Sequence, residues 1–158
     1  MKKLFLIITV LLFAVTIHAQ YKPVKQDRNQ VKNNILLFTR LDYKRTEVDS
    51  LIALCGFPLY NKSWRVNKTY NSAKQLQQEL KDILMRSKFR QIKYEVQSLY
   101  QIKTPKNPLI KGSNYTCYQI MVHLPEVGEG PNGSYQKTIF YVSNKKPYKI
   151  IGIDDGVE

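Results

Sequence analysis

Residues 45–64 read RTEVDSLIALCGFPLYNKSW. Thr46 can cap a helix with its hydroxyl while Asp49 sits in the first turn, a variant of the capping box. Leu51, Ile52 and Leu54 supply the buried side, and Gly56 predicts a left-handed stop. Apolar pairs then flank Asn61-Lys62-Ser63, which predicts a short hairpin over 57–66. Upstream, Val24, Val31, Ile35 and Phe38 follow helical spacing after Pro23, with Leu41 at the edge of the stripe. Downstream, Ser72 and Gln75 open a third helix with a true S-x-x-Q box worth about 1 kcal/mol. Leu76, Leu80, Ile83 and Leu84 form its apolar side, and it should end near Ser87.

The remainder reads as strand. From Gln91 to Lys103 the alternation puts Ile92, Tyr94, Val96, Tyr100 and Ile102 on one face and Lys93, Glu95, Gln97, Gln101 and Lys103 on the other. Three more strands follow over about 115–124, 135–143 and 148–153. They are joined by the glycine-rich stretch 126–133 and by Asn144-Lys145-Lys146-Pro147. These later strands are apolar on both faces, which a sheet wetted on one side does not need. The pattern therefore predicts a covered outer face, most simply by a second copy of the chain.

Two helices, a hairpin, a capped helix and four antiparallel strands resemble the nuclear transport factor 2-like (SnoaL-like, cystatin-like) superfamily. The resemblance is carried by RTEVDSLIALCGFPLYNKSW, NSAKQLQQELKDIL and the closing FYVSNKKPYKIIGID, and it spans nearly all of residues 20–158. It implies an α+β fold: three N-terminal helices packed in the concave face of a curved antiparallel sheet of four main strands plus a short hairpin. Such a cone has a pocket at its open end. The superfamily holds isomerases, dehydratases, hydrolases and non-catalytic binding domains, so the fold does not select a function.

Residues 1–19 have the parts of a secretory signal peptide: Lys2 and Lys3, an apolar run over Leu4–Val15, and Ala19 before Gln20. Cleavage there leaves 20–158 as one exported domain, periplasmic or secreted, with no transmembrane anchor. In an oxidising compartment Cys55 and Cys117 can form one bridge or remain two buried thiols. Two cysteines without clustered histidines build no zinc site, so neither a metal nor a cofactor is expected.

The 158-residue chain carries 25 Lys and Arg against 12 Asp and Glu, a formal charge of +13. Residues 22–111 hold 19 basic and 7 acidic side chains, whereas 112–158 hold 4 and 5. Such a field favours anionic partners, here an anionic envelope polymer. No nucleic-acid motif accompanies it, and nucleic acid is not expected as a partner.

His123 is the one histidine after the leader and the one side chain that ordinarily titrates near neutrality. The resemblance implies a carboxylate or histidine base inside the cone beside a tyrosine, which makes His123 and Asp154 the catalytic candidates. Strand parity groups Cys117, Gln119, Met121 and His123 on the less apolar face, away from the core. Tyr94, Tyr100, Tyr118 and Trp64 are the candidates for lining a pocket, since tyrosine joins a flat apolar surface to one hydroxyl. The sequence thus predicts a binding or interaction module for a small apolar ligand. A cofactor-independent isomerase or dehydratase is the alternative, and docking on an anionic polymer is a third reading.

Overall fold

The computed structural model describes residues 25–44, 47–63, 66–86, 93–102, 110, 115–125 and 134–155. The leader and Trp64 lie outside them. Among the described residues three helices, α1 (Lys25–Lys44), α2 (Val48–Ala53) and α3 (Ala73–Arg86), precede or interrupt six strands. The strands are β1 (Cys55–Ser63), β2 (Val66–Tyr70), β3 (Glu95–Ile102), β4 (Tyr115–Leu124), β5 (Ser134–Ser143) and β6 (Ile150–Asp155). They form one sheet in the order β2-β1-β6-β5-β4-β3. The hairpin β1–β2 is part of that sheet, because β1 runs parallel to β6 while every other pair is antiparallel.

The helices form where the apolar spacing places them. Val31, Ile35, Phe38 and Leu41 of α1 are buried on the inner face of the sheet. Phe38 meets Phe140 edge-on at 5.7 Å between ring centroids. α3 begins at the capping box: the Gln75 amide donates to Ser72 Oγ at 3.4 Å, and Gln75 Oε1 accepts the Asn71 amide at 2.7 Å. Tyr70 Oη donates to Glu79 at 2.7 Å, and Lys68 pairs with the same carboxylate, tying β2 to α3.

α2 departs from expectation. It is six residues long and is preceded by Glu47, whose side chain makes no capping bond; Thr46 lies outside the described residues. Its end at Leu54 is right-handed, and Gly56 belongs to β1. Gly56 is required there for close approach: a Cβ would stand 2.9 Å from Ile151 Cγ2 and 3.0 Å from Lys149 Cβ. The glycine marks a strand contact, not a helix stop.

Two irregularities interrupt the period of two. In β3, Val96 pairs with Val122 but Ser98 pairs with Met121, leaving Gln97 as an extra residue. In β6, Ile150 pairs with Val142 but Gly152 pairs with Tyr141, leaving Ile151 extra. Each bulge moves the residues beyond it to the opposite face.

The result is a core on each side of the sheet. The inner one joins the helices to Tyr118, Ile120, Val122, Phe140, Val142, Ile150 and Ile153. The outer one contains Cys117, Ile139 and Tyr141, packed with Ile102, Ile110, Tyr115 and Ile151. Ile110, from the connection between β3 and β4, lies over Gly152, where a Cβ would meet its Cδ1 at 2.6 Å. Around Ile110 the outer face is thus covered by the chain itself.

Gly56→Ala should destabilise the fold by about 1–3 kcal/mol, because the new methyl meets a branched side chain and a Cβ that cannot swing away. Gly152→Ala should cost less when Ile110 is also truncated to Ala, since the flexible Cδ1 is its tightest contact. Urea midpoints of the variants check both expectations.

Candidate functional site

α1 crosses the inner face of the sheet and brings Phe38, Thr39 and Asp42 over the ends of β5 and β6. Two adjoining hollows of about 30 and 90 Å³ share Phe38, Asp42, Ile153 and Asp155. The smaller is closed by Ile120, Val122 and Phe140, with Gln136 and Thr138 as its polar lining. The larger runs under Leu51, Leu59, Leu76 and Leu80, with Asn61 at its wall. Thr39 lends the hollow little polarity, because its hydroxyl donates to the Ile35 carbonyl at 2.9 Å.

The bulge at Ile151 decides which carboxylate enters. Ile153 returns to the inner core, Asp154 turns outward and Asp155 turns in beside Thr138, its partner on β5. Burial lifts the Asp155 carboxyl from its ordinary 3.8 to about 6, and the charges of Asp42 and Asp154 push the same way. Hydrogen bonds with Thr138 and Gln136 oppose the rise. Asp155 Oδ1 is buried and has no hydrogen-bond partner among the described residues. The hollow therefore has walls that are part apolar and part polar, and it is lined by a carboxyl that holds a proton in mild acid.

Asp154, the sequence candidate, faces the outer side, 8% exposed, with Lys62 Nζ 3.5 Å from its Oδ1. A regular strand would have exchanged its place with that of Asp155. His123 is also on the outer face, stacked on Tyr135 at 4.8 Å between centroids and paired in register with Glu95. The sheet separates it from the hollow, which its neighbour Val122 lines from the other face. Tyr100, expected inside, is 49% exposed and pairs with Gln119 on the outer face, because the Gln97 bulge reverses its parity.

Tyr94 and Tyr118 do point inward. Tyr94 packs against the inner core and Tyr118 belongs to it, and burial raises the pKa of both against the pull of Arg40 and Arg28 respectively. Tyr118 lines a different, water-sized hollow with Val31 and Tyr148. Neither tyrosine lines the Asp155 hollow. Cys55 and Cys117 are free and buried, in the inner and outer core respectively. The sheet stands between them, so the bridge does not form, and burial pushes both thiols up to about 12.

Asp42, Thr138 and Gln136 escaped the sequence reading, which preferred Asp154 to Asp155. Gly152 was the available signal, since an isolated glycine inside an apolar strand marks a bulge and hence a change of face. Among the described residues, no three His, Cys, Asp or Glu side chains gather as a metal site.

This architecture is a nuclear transport factor 2-like α+β cone fold. The chain is similar to a cystatin-like domain of unknown function from Nostoc punctiforme, at 11% identity and a TM-score of 0.56, over 86% of this chain and 80% of that one. It is also similar to the β subunit of benzoate 1,2-dioxygenase from Burkholderia mallei, at 9% identity and a TM-score of 0.51, over 79% and 86%. At these identities the likeness is one of fold. No protein-family model and no curated protein matches the chain.

Because the folded protein binds the Asp155 proton more tightly than the unfolded chain, that contribution to stability is full below 3.8 and is lost as pH rises through about 6. The charged form should cost about 3 kcal/mol at neutral pH. Asp155→Asn should therefore be more stable than the parent at neutral pH, with the gain vanishing towards pH ~4; urea titrations across that range test it. A flat difference would place the carboxylate in water. The cysteines should show no two-hydrogen mass deficit and should react with thiol reagents only when the protein unfolds.

Proposed function

We propose that this chain is an exported small-molecule-binding module whose ligand sits in the hollow ending at Asp155. One observation carries the reading: Asp155, one of whose carboxyl oxygens is buried with no hydrogen-bond partner among the described residues, lines a hollow walled by Phe38, Leu51, Leu59 and Ile153 together with Asn61 and Asp42. An unmet acceptor in such surroundings costs free energy, and a ligand group that donates to it recovers that cost. The fitting ligand has a compact apolar body and a hydroxyl or amine donor. It is small, because the hollow between α1 and the sheet is small.

A second reading rests on the proton at the same carboxyl. A group poised near pH 6 in apolar surroundings can take a proton from a bound substrate and return it without a cofactor. Asp155 is the residue in that role, and Thr138 and Gln136 hold it in position.

Native mass spectrometry of the protein purified from its own compartment tests the binding reading. The expected result is a chain beginning at Gln20 with a small molecule bound, which is lost in Asp155→Asn. That ligand should raise the melting temperature with little dependence on salt. An empty chain whose melting temperature no donor-bearing small molecule shifts overturns the binding reading. For the catalytic reading, Asp155→Asn should abolish turnover of the bound molecule while Asp154→Asn and His123→Ala retain it.

A further inference from the structure

What the hollow between α1 and the sheet offers a ligand depends on where its own donors point. The Thr39 hydroxyl gives its proton to the Ile35 carbonyl at 2.9 Å. The Thr138 hydroxyl and the Gln136 amide bond the Asp155 carboxylate as donors, in the sense that favours its charge. Asn61 bonds the Tyr70 hydroxyl in the same sense, so its amide N–H is also directed at the protein. The lining thus spends these protons on the chain itself. What remains at Asp155 is an acceptor, Oδ1, buried without a hydrogen-bond partner among the described residues.

The sign of the lining agrees. The chain carries 25 Lys and Arg against 12 Asp and Glu, yet among the described residues no Lys, Arg or His lines either hollow, and both are lined by Asp42 and Asp155. The charge of Asp42, from α1, and that of Asp154, the preceding residue of β6, act on Asp155 in the same direction. β5 presents Thr138 and Gln136 and β1 presents Asn61, while α2 and α3 present only Leu51, Leu76 and Leu80. Lys62 answers Asp154 on the outer side of the sheet. No cation among these groups balances Asp155.

We infer that the molecule held in this hollow is a compact primary amine, bound as its ammonium ion. The inference rests on the binding reading above and narrows its donor from a hydroxyl or amine to a cation. An ammonium brings three donors and no acceptor, which suits a lining whose donors are already engaged. A carboxylate would bring acceptors to donors that point elsewhere, and a negative charge to two carboxyl groups. An alcohol could reach Oδ1 but would leave the carboxylate charge in place. The ammonium cancels that charge where water screens it weakly. Phe38, Leu59 and Ile153 take the hydrocarbon part, which the 90 Å³ of the larger hollow keeps short.

A proton competes with the ammonium for the same carboxyl. An alkylamine, like a lysine side chain, stays charged up to about pH 10. Asp155 is ionised above about pH 6 and protonated below it. Amine binding should therefore be full above that value and should weaken about tenfold from pH 7 to pH 5. A neutral ligand of the same shape should show no such loss.

Isobutylamine, isobutanol and isobutyrate share one carbon skeleton and serve as cationic, neutral and anionic probes. Each is titrated into the isotopically labelled protein while the amide resonances of Asp42, Thr138 and Asp155 are followed. At pH 7 isobutylamine should bind at least about tenfold more tightly than isobutanol, and isobutyrate should leave these resonances in place. Asp155→Asn should erase the amine's advantage. Glu95→Gln removes one acidic charge from an exposed position on the edge strand β3 and should preserve it. The comparison of pH 7 with pH 5 needs no variant. Isobutanol binding as tightly as isobutylamine, or amine affinity unchanged between the two pH values, would overturn the inference and leave the binding reading standing. So would a co-purified molecule that carries no amine. Amine-induced shifts confined to exposed carboxylates, or no shift with any probe, would also overturn it, and the binding reading is then judged by native mass spectrometry alone.

Discussion

Between Ile150 and Gly152 the last strand carries one residue more than β5 can pair. A strand's side chains alternate strictly, so one surplus residue exchanges the two faces for everything beyond it. Here it sends Ile153 to the inner core, holds Asp154 against Lys62 outside and turns Asp155 towards α1. Gly152 makes the distortion tolerable on the outer side, where Ile110 and the Tyr141 ring occupy the space a side chain would fill. The chemistry of the hollow therefore depends on this interruption of the ladder. Without it the inward carboxyl would be Asp154, and Asp155 would lie outside.

Two-sided burial is what fixes the bulge in place. On the inner face α1 supplies Ile35, Phe38 and Leu41, and on the outer face Cys117, Ile139 and Tyr141 close against Ile110. A slip of one residue would misplace apolar side chains on both faces at once. Register is correspondingly well specified in β4, β5 and β6, which pair through the middle of the sheet. β3 lies at the edge, where its own bulge leaves Tyr100 exposed.

α1 carries exposed cations along its length, Arg28, Lys32 and Arg40. Its 20 residues span about 30 Å, from the exposed Arg28 and Lys32 to Asp42 at the hollow. The acidic groups are few in a basic chain, yet two of them line one interior space. The energetic cost of keeping Asp155 there is reduced by Thr138 and Gln136 and lifted further when the carboxyl takes a proton. The similar structures share the cone at 9 to 11% identity, so the likeness is one of fold and not of function.

Much of the architecture was legible in local pattern. The stripe on α1, the Ser72–Gln75 box and the two-faced apolar strands specify elements and burial because each depends on neighbours a few residues apart. Strand parity also placed Cys117 and His123 outside, since β4 has no bulge and the rule holds along its length. Gly56 was misread as a helix stop because its reason is the approach of Ile151 and Lys149 from a strand almost a hundred positions away. Tyr100 was assigned to the wrong face, and Asp154 rather than Asp155 was named as a candidate base, for one shared reason. A bulge is set by how two strands must bend to pack, and the sequence marks it only with an isolated glycine in β6 and with no such residue in β3. The sequence by itself determined the elements, the apolar faces and the basic charge. Which carboxyl meets the hollow, and that the sheet separates Cys55 from Cys117, were decided by the tertiary structure, because facing and distance emerge only when the strands pair.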